Sequence, residues 1–557
     1  MKLHKITSGL AFISLASTAA VAQLAQDHSY DGGAQLLTGS AFDGAMTPGQ
    51  APGPNGPLQS GVLLSFAGVS QYDVAGVGRN FVPPDTMGAV GTSQYVSVVN
   101  GGVGIYSKTD GSRQSFLSDT TFWAAAGQQG TNGDTRILFN AATNRWVAAA
   151  FGASLSDLQI AVSDTSNANG SWQSVKFTGY AGAGFGGAVA DYPTLAIDAN
   201  AVYIGTNNFA KSSATGAQQF QGTTLNVIPL ASIFGASGPS VAGNVQFQTP
   251  FDPVTFAGDY TRGYAIQGVN SNAAGTTGKV LAVSFASNNL TRYDILNAGT
   301  AGATRTDSLT TIGATFEDNN APGRQPSGYN GLPSQVIDTG DPRVGSSVWE
   351  VNGRIYSVHT VTEPGSAFTV IRYDVLDSVT GAVLDEGDLG NGGVDFYYGS
   401  IAVNAAGQVV IGYDRSNYGL DGNITFAART FDTSANGKLI FTSGELLLKV
   451  SSINDYHTGS LEFQAPAGRQ RFGDYSAVSL DPTDGSKFWA TNEIALEYNS
   501  PAAGHPNGTG GPRWGTWVAE IEVGTVPEPA TWAMMIVGFG MVGTVSRRRR
   551  HLAAPVV

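Results

Sequence analysis

A chain of 557 residues without one cysteine can form no disulfide, no thiolate metal site and no cysteine nucleophile. Its formal net charge of −13, with only 29 Lys and Arg, argues against nucleic acid or anionic lipid as a partner, since both are met by basic surfaces. Its 74 glycines in a 42 % apolar background suit short strands, tight turns and a packed core, and suit neither long helices nor a disordered chain.

The first residues carry an export signal. Lys2 and Lys5 give a positive start, residues 10–16 a short apolar stretch, and Ala20-Val21-Ala22 a small-x-small cleavage site. Residues 1–22 therefore read as a signal peptide for the Sec export machinery, with Gln23 as the mature N-terminus. Residues 23–60, with Pro48, Pro52, Pro54 and Pro57 among several glycines, read as a linker.

Between 61 and 524 one unit recurs: an Asp, a short apolar stretch, a turn, then a second β-rich stretch with aromatics. It begins at Asp85, Asp134, Asp191, Asp341, Asp395 and Asp474, with a poorer copy at Asp259. Each unit reads as a hairpin, because β-branched and aromatic stretches flank Gly, Asn and Asp turn residues. Asn352 and Gly353, between 348–351 and 354–358, give the strongest turn signal. The spacings run from about 50 to about 80 residues against about 40–50 for a four-stranded propeller blade, so the wider gaps hold surface insertions. Repeated hairpin sheets leave open edges, and a closed ring of blades removes them. Residues 61–524 are therefore expected to form an all-β, seven-bladed β-propeller; six or eight blades stay open, and a two-domain β-sandwich is the rival. Residues 501–512 form a second Pro/Gly-rich linker. The alternating segment 517–523 and residues 62–66 are expected to share one blade and close the ring.

The repeated acids are the first candidates for chemistry. Gathered around one mouth of a central channel, Asp85, Asp134, Asp191, Asp341, Asp395 and Asp474 could hold a hard cation such as Ca2+, which takes several oxygens. The competing role is to accept backbone N–H groups at turns. Recurrence favours that role, because a ligand site usually breaks the symmetry of its repeat. Arg136, Arg343 and Arg471 lie close to these acids. Three Arg near a propeller axis resemble the carboxylate-binding cluster of sialidases, and residues 161–172 loosely resemble the Asp-box turn of sialidase-type propellers, with a different Gly–Trp spacing. That resemblance implies a glycoside hydrolase in which Arg136, Arg343 and Arg471 clamp a carboxylate; it offers Tyr475 as nucleophile and Glu493 as its partner, although no spacing singles these two out. Outside the two end segments, His28, His359, His457 and His505 have no zinc spacing, and no nucleophile elbow, P-loop or full EF-hand loop occurs. Trp146, Trp172, Trp349, Trp489, Trp514 and Trp517 are expected to fill blade interfaces rather than stack on sugar rings.

The tail, residues 525–557, is the most specific segment. Pro527-Glu528-Pro529 precedes an apolar run at 531–545 that carries Trp532 near its start, and Arg547, Arg548, Arg549 and Arg550 follow. As a transmembrane helix the run spans about 22 Å, short of a hydrocarbon core of about 30 Å. The Arg cluster stays cytoplasmic by the positive-inside rule. This order of parts resembles the PEP-CTERM sorting signal. The resemblance implies an exosortase substrate of a Gram-negative bacterium that makes exopolysaccharide, with a membrane-anchored precursor, cleavage near 527–529, and a mature protein at the cell surface or in a biofilm matrix. The expected function is a non-enzymatic surface or matrix protein that binds exopolysaccharide or an envelope partner; the alternative is a glycoside hydrolase or lyase acting on such polymers.

Overall fold

The computed structural model describes residues 35–36 and 61–524, apart from 80, 129, 132, 181–187, 212–217, 251–263, 285–288, 307–309, 318–319, 327–335, 391, 420–421, 453–455, 457–468 and 499–511. The signal peptide, Asp259, His457 and the whole C-terminal tail with its expected transmembrane helix lie outside the described residues. Among the described residues no helix is long and apolar enough to cross a membrane.

The hairpins build antiparallel sheets that follow one another along the chain. Sheet 1 holds Met87–Val90, Gln94–Val99, Gly102–Ser107 and Arg113–Ser118. Sheet 2 holds Arg136–Asn140, Arg145–Phe151, Asp157–Ser163 and Trp172–Thr178. In sheet 3, Val189–Asp191 and Ala196–Ile197 both pair with Ala201–Lys211, followed outward by Gln218–Pro229 and Val245–Pro250. Sheet 4 has nine strands in two halves. One half runs from Tyr264–Ser271 through Gly278–Ser284 to Asn289–Leu296; the other runs from Val348–Val351 through Arg354–Thr362 and Thr369–Asp377 to Val383–Leu389. The halves join where Val348–Val351 lies parallel to Tyr264–Ser271. Sheet 5 holds Asp395–Val403, Gln408–Ser416 and Thr425–Thr433, edged by Leu439–Phe441 and Leu446–Val450. Sheet 6 holds Ala477–Leu480, Lys487–Tyr498, Pro512–Glu522 and, outermost, Val62–Ser70.

The first strands pack side by side around an axis. Met87–Val90 touches Arg136–Asn140, Ala196–Ile197 touches Tyr264–Ser271, and Val348–Val351 touches Asp395–Val403. Asp395–Val403 in turn touches Ala477–Leu480, which returns to Met87–Val90. The arrangement is mostly β and propeller-like, with short helices at Gln71–Gly76, Asp119–Ala125 and Leu230–Ile233.

Burial follows each strand's place in its sheet. Arg145–Phe151 is buried from Trp146 onward, whereas the outer strands Arg113–Ser118 and Val383–Leu389 are largely exposed or half-buried. Arg113, Asp385, Glu386 and Asp388 charge those outer strands, which discourages pairing with other chains. Between sheets 2 and 3, Leu138, Val147 and Ile160 pack on Ile197, Val202 and Ile228; sheets 4 and 5 meet through Val358, Val375, Ile401 and Tyr413. Trp146, Trp489 and Trp514 are fully buried, Trp172 and Trp517 nearly so, and half-buried Trp349 donates from Nε1 to the Ile401 carbonyl at 2.9 Å. Asn352 and Gly353 both take positive φ, 52° and 73°, and form a two-residue turn between Val351 and its partner Arg354.

The expected closing pair is present: Val62 stands opposite Ile521 and Phe66 opposite Val518. An N-terminal strand thus completes a sheet whose other strands come from the C-terminal part. The two ends leave together, with the Glu522 N–H donating to the Gly61 carbonyl at 2.8 Å. Within the segment read as a linker, Gln35–Leu36 pairs with Phe81–Val82.

Candidate functional site

Several first strands are entered through one recurrent backbone position. Asp85, Asp134, Tyr192 and Tyr398 have φ of 52°, 54°, 55° and 50°, and each stands six residues before a turn residue: Gly91, Asn140, Asp198 and Asn404. Tyr475 stands at the same distance from Asp481. The recurring aspartate read from the sequence is therefore not one position. Asp85 and Asp134 match Tyr192, Tyr398 and Tyr475, while Asp191 and Asp474 fall one residue earlier. Asp395 does not precede its strand but opens it, and Asp341 lies in the loop before Val348–Val351. Two of the repeated acids do accept backbone N–H groups, Asp341 at its own turn from Arg343 at 3.0 Å and Asp395 from Arg324 and Thr369 at 2.8 and 3.3 Å. The recurrent Asx turns stand at the other end of the strands. Asp198 accepts from Asn200 and Ala201 at 2.7 Å each, Asn404 from Ala406 and Gln408 at 3.1 and 2.8 Å, and Asp481 from Thr483 and Asp484 at 2.8 and 3.2 Å.

The strand starts converge on a polar cluster at one mouth of the ring. Asn100 links two of the acids: its Nδ2 donates to Asp85 at 2.6 Å, and its Oδ1 accepts from the Asp134 N–H at 2.8 Å. The Tyr475 hydroxyl donates to Asp134 Oδ2 at 2.9 Å. Arg136 lies over the Tyr475 ring, 3.7 Å from its centroid, and donates to the carbonyls of Pro193 at 2.9 Å and Gly345 at 3.1 Å. Arg343 forks onto Asp341 with two bonds of 2.6 Å and reaches the Tyr264 hydroxyl at 3.1 Å. Arg471 donates to Asp474 at 2.9 Å. Glu493 accepts from Thr86 at 3.4 Å, and a Cβ at Gly473 would displace its carboxylate. Asp395 is held elsewhere, by Arg324 at 2.8 Å.

The electrostatics follow from burial. Asp85 is 2 % exposed, and its pKa is pushed well up by desolvation, then by the neighbouring Asp474 and Asp134. Desolvation also raises Asp134, and it raises Glu493 together with the charges of Asp85, Asp414 and Asp474. Asp414, on the second strand of sheet 5, has both carboxylate oxygens buried without a hydrogen bond, and burial alone drives it up. Burial and then Asp134 hold the Tyr475 hydroxyl far above its ordinary range, which opposes its ionisation. Burial pulls Arg343 down, but Asp341, Tyr264 and Tyr192 together outweigh it and the guanidinium stays charged.

The cluster is filled by its own members. The cavity between Asp341, Arg343, His359, Tyr398, Asp474 and Tyr475 measures about 20 Å3, room for about one water molecule. Ligand pockets run to about 300–1,000 Å3. All three arginines have internal partners. Tyr475 is paired with Asp134, whereas Glu493 Oε2 has no hydrogen-bond partner. Among the described residues no group of three or more His, Asp or Glu is placed to hold a metal ion. The turn at 161–172 clamps tryptophans: Trp172 donates to the Ala168 carbonyl and Trp146 to that of Ser166, each at 2.9 Å. Sequence reasoning missed Tyr192, Tyr398, Asn100 and Asp414. Counting six residues back from each Asx turn would have found the first two; Asn100 and Asp414 carry no local signal.

Residues 525–550 are the PEP-CTERM protein-sorting motif. No curated protein sequence matches the chain. Solved structures similar to it include the extracellular domains 1–2 of Drosophila Semaphorin 1b, at 8 % identity over 84 % of this chain and 87 % of that one, with a TM-score of 0.35. The Dos1 propeller is similar at 9 % identity over 82 % of this chain and 94 % of that one, with a TM-score of 0.34. The endo-arabinase of Bacteroides thetaiotaomicron is similar at 12 % identity over 59 % of this chain and 98 % of that one, with a TM-score of 0.26.

Proposed function

We propose that this is a non-enzymatic, exosortase-sorted surface or matrix protein of a Gram-negative bacterium, in which a closed ring presents an outer surface to exopolysaccharide or an envelope partner. The leader 1–22 is removed on export, 23–60 connects, 61–524 folds, and 525–557 inserts through its apolar run and is then cut near Pro527, Glu528 and Pro529. We read the ring as seven-bladed, dividing the nine-stranded sheet where its halves meet in parallel.

The observation that carries the reading is the sorting motif at 525–550; the cavity beside Asp341, Arg343 and Tyr475, with room for about one water molecule, adds no sugar-sized cleft at that point. A saccharide needs an open polar cleft, and here the charged groups are turned on one another. The test is expression in a host with its exosortase. The secreted protein should lack the residues beyond the cut by intact mass, and changing Pro527, Glu528 and Pro529 together to Ala should leave the tail attached and the protein at the inner membrane. Tail retention in the unmutated protein would sink the sorting role. A polysaccharide array probed with the secreted form tests the binding half, which fails if no polymer is retained.

The second reading, a glycoside hydrolase, rests on the Tyr475 hydroxyl paired with a carboxylate beside Arg343 and Arg471. It requires polymer cleavage that is lost in Arg343→Ala.

A further inference from the structure

The two ends of the first strands differ in what they expose. The mouth lies at their starts, and six residues later, about 20 Å along a strand, the turns form an opposite face. Gly61 and Gly524, which bound the sheets, both lie at this turn face. Gly524 is held there by Gln408, whose Nε2 donates to its carbonyl at 2.8 Å, and Gly61 is bound to Glu522. Six of the ten exposed large apolar side chains among the described residues lie on the same face: Val379 at 82 % exposure, Ile440 at 55 %, Phe441 at 54 %, and Leu63, Leu296 and Val383 at 42 % each. The strand pairing places Ile440 close to the exit, since Gln408 stands opposite Asp432, and Asp432 opposite Ile440. The turn bearing Val379 is tied to the Asn352–Gly353 turn by the Ser378 N–H on the Gly353 carbonyl at 2.9 Å.

Chain length restricts where this face can be while the tail is attached. The apolar run starts at Thr531, seven residues after Gly524, a tether of at most about 25 Å when fully extended. The net charge of −13 works against attraction to acidic headgroups, so the contact is assigned to apolar insertion.

We propose that in the tail-anchored precursor the turn face rests on the lipid bilayer, with Ile440, Phe441 and Val379 entering the interface, so that the Asp–Arg–Tyr mouth points away from the membrane. This rests on the reading that the tail inserts. Docking holds the Gly524 exit at the bilayer and so keeps the Pro527–Pro529 cleavage segment at membrane level, where an integral membrane processing enzyme can reach it.

The absence of cysteine makes the test direct. Full-length chain with its tail is prepared without exosortase as Ile440→Cys, and separately as Ala367→Cys in an exposed hairpin on the opposite face; each is labelled with an environment-sensitive fluorophore and added to vesicles of phosphatidylcholine and phosphatidylethanolamine. Ile440 is chosen over Phe441 because the Phe441 ring packs against that of Phe431, 4.5 Å between centroids. Both proteins should float with the vesicles. The label at 440 should shift to the blue and be quenched by lipid-borne quenchers, unchanged by added salt, and the label at 367 should do neither. Flotation with an unshifted label at 440, or equal shifts at both sites, overturns the docking alone. No flotation overturns the anchoring reading, and the docking with it.

Discussion

The mouth and the turn face are built from the same strands, yet they use their residues in opposite ways. At the mouth, charged and aromatic side chains are buried and spend their bonding capacity on one another: Arg343 on Asp341, Arg471 on Asp474, Tyr475 on Asp134. At the turn face, Asx residues satisfy the backbone locally, and apolar side chains remain in solvent. A cluster of Arg, Tyr and Asp is thus not by itself a ligand site. What decides is whether any member has capacity left and whether there is room to use it. The mouth keeps some capacity, since Asp85 Oδ1, Arg136 Nη2 and Glu493 Oε2 are buried without a hydrogen bond, but its cavity has little room, and the turn face has surface to spare.

The contrast presupposes a closed ring, and the harshest way to break it is to open the ring. Deleting residues 61–66 removes Val62 and Phe66, the latter packed 5.1 Å from the Tyr106 ring and 6.4 Å from those of Tyr95 and Trp489, and bares the edge of Pro512–Glu522. Stability should fall by about 5 kcal/mol or more, given what burial of a large side chain and loss of a strand each contribute. Scanning calorimetry should show a sharply lower or vanished transition, and an unchanged melting point would mean that the pair does not close the fold. Next in size is Arg136→Ala. It strands the Pro193 and Gly345 carbonyls, uncovers the Tyr475 ring and leaves a hole between three sheets, for about 3–5 kcal/mol. A solvent-facing ligand arginine would cost almost nothing, so denaturant titration of this variant separates a structural from a binding role.

Smaller, but diagnostic in sign, is the pH dependence. Asp374 is buried beside Glu386, Arg372 and Asp388; burial first and Glu386 second push it up to about 8. Unfolded, an Asp titrates near ~4. Between those pH values the native protein keeps a proton that the unfolded chain releases, so this contribution is full below about pH 4 and is lost as pH rises toward about 8. Asp85, Asp134, Asp414 and Glu493 are shifted in the same direction. His359, buried on the Pro342 carbonyl and pulled down to about 4, opposes them, because its contribution is lost as pH falls from about 6.5 to about 4. Five acids outweigh one His. The melting temperature should therefore be higher at pH 5 than at pH 8 by several degrees, about 2–4 °C for each kcal/mol. A protein more stable at pH 8 would mean that the mouth carboxylates are ionised and paired with something that neutralises them.

Much of the scaffold was legible in the sequence, and the reason is period. Apolar alternation, Asn352-Gly353 and the pairing of residues 62–66 with 517–523 are local or symmetric signals. The mouth was half legible. Asp85, Asp134, Arg136, Arg343, Arg471 and Tyr475 do converge, but aspartate does not mark the phase of the repeat: the recurrent geometry is a left-handed backbone position that also accepts Tyr192 and Tyr398. Phasing on the Asx turn residues Asp198, Asn404 and Asp481 gives the register, because an Asx turn fixes its own backbone and so marks a place in the strand. The pairing of Tyr475 with Asp134 was not legible, since the two stand far apart in the chain and only ring closure brings them together.

The gentlest perturbation tests the turn face from the other side. Val379 is 82 % exposed, and its turn is fixed by backbone: the N–H groups of Val379 and Thr380 donate to Asp377 Oδ1 at 3.0 and 2.7 Å. Nothing in that geometry uses the isopropyl group. Val379→Ser should therefore change stability by no more than about 0.5 kcal/mol by denaturant titration. The same variant in tail-bearing protein should weaken contact with a neutral bilayer, seen as easier extraction by mild detergent or high pH, because a side chain that contributes nothing to folding is free to contribute elsewhere. Destabilisation of the soluble fold by this change would place Val379 in a contact within the ring and return the turn face to the same economy as the mouth.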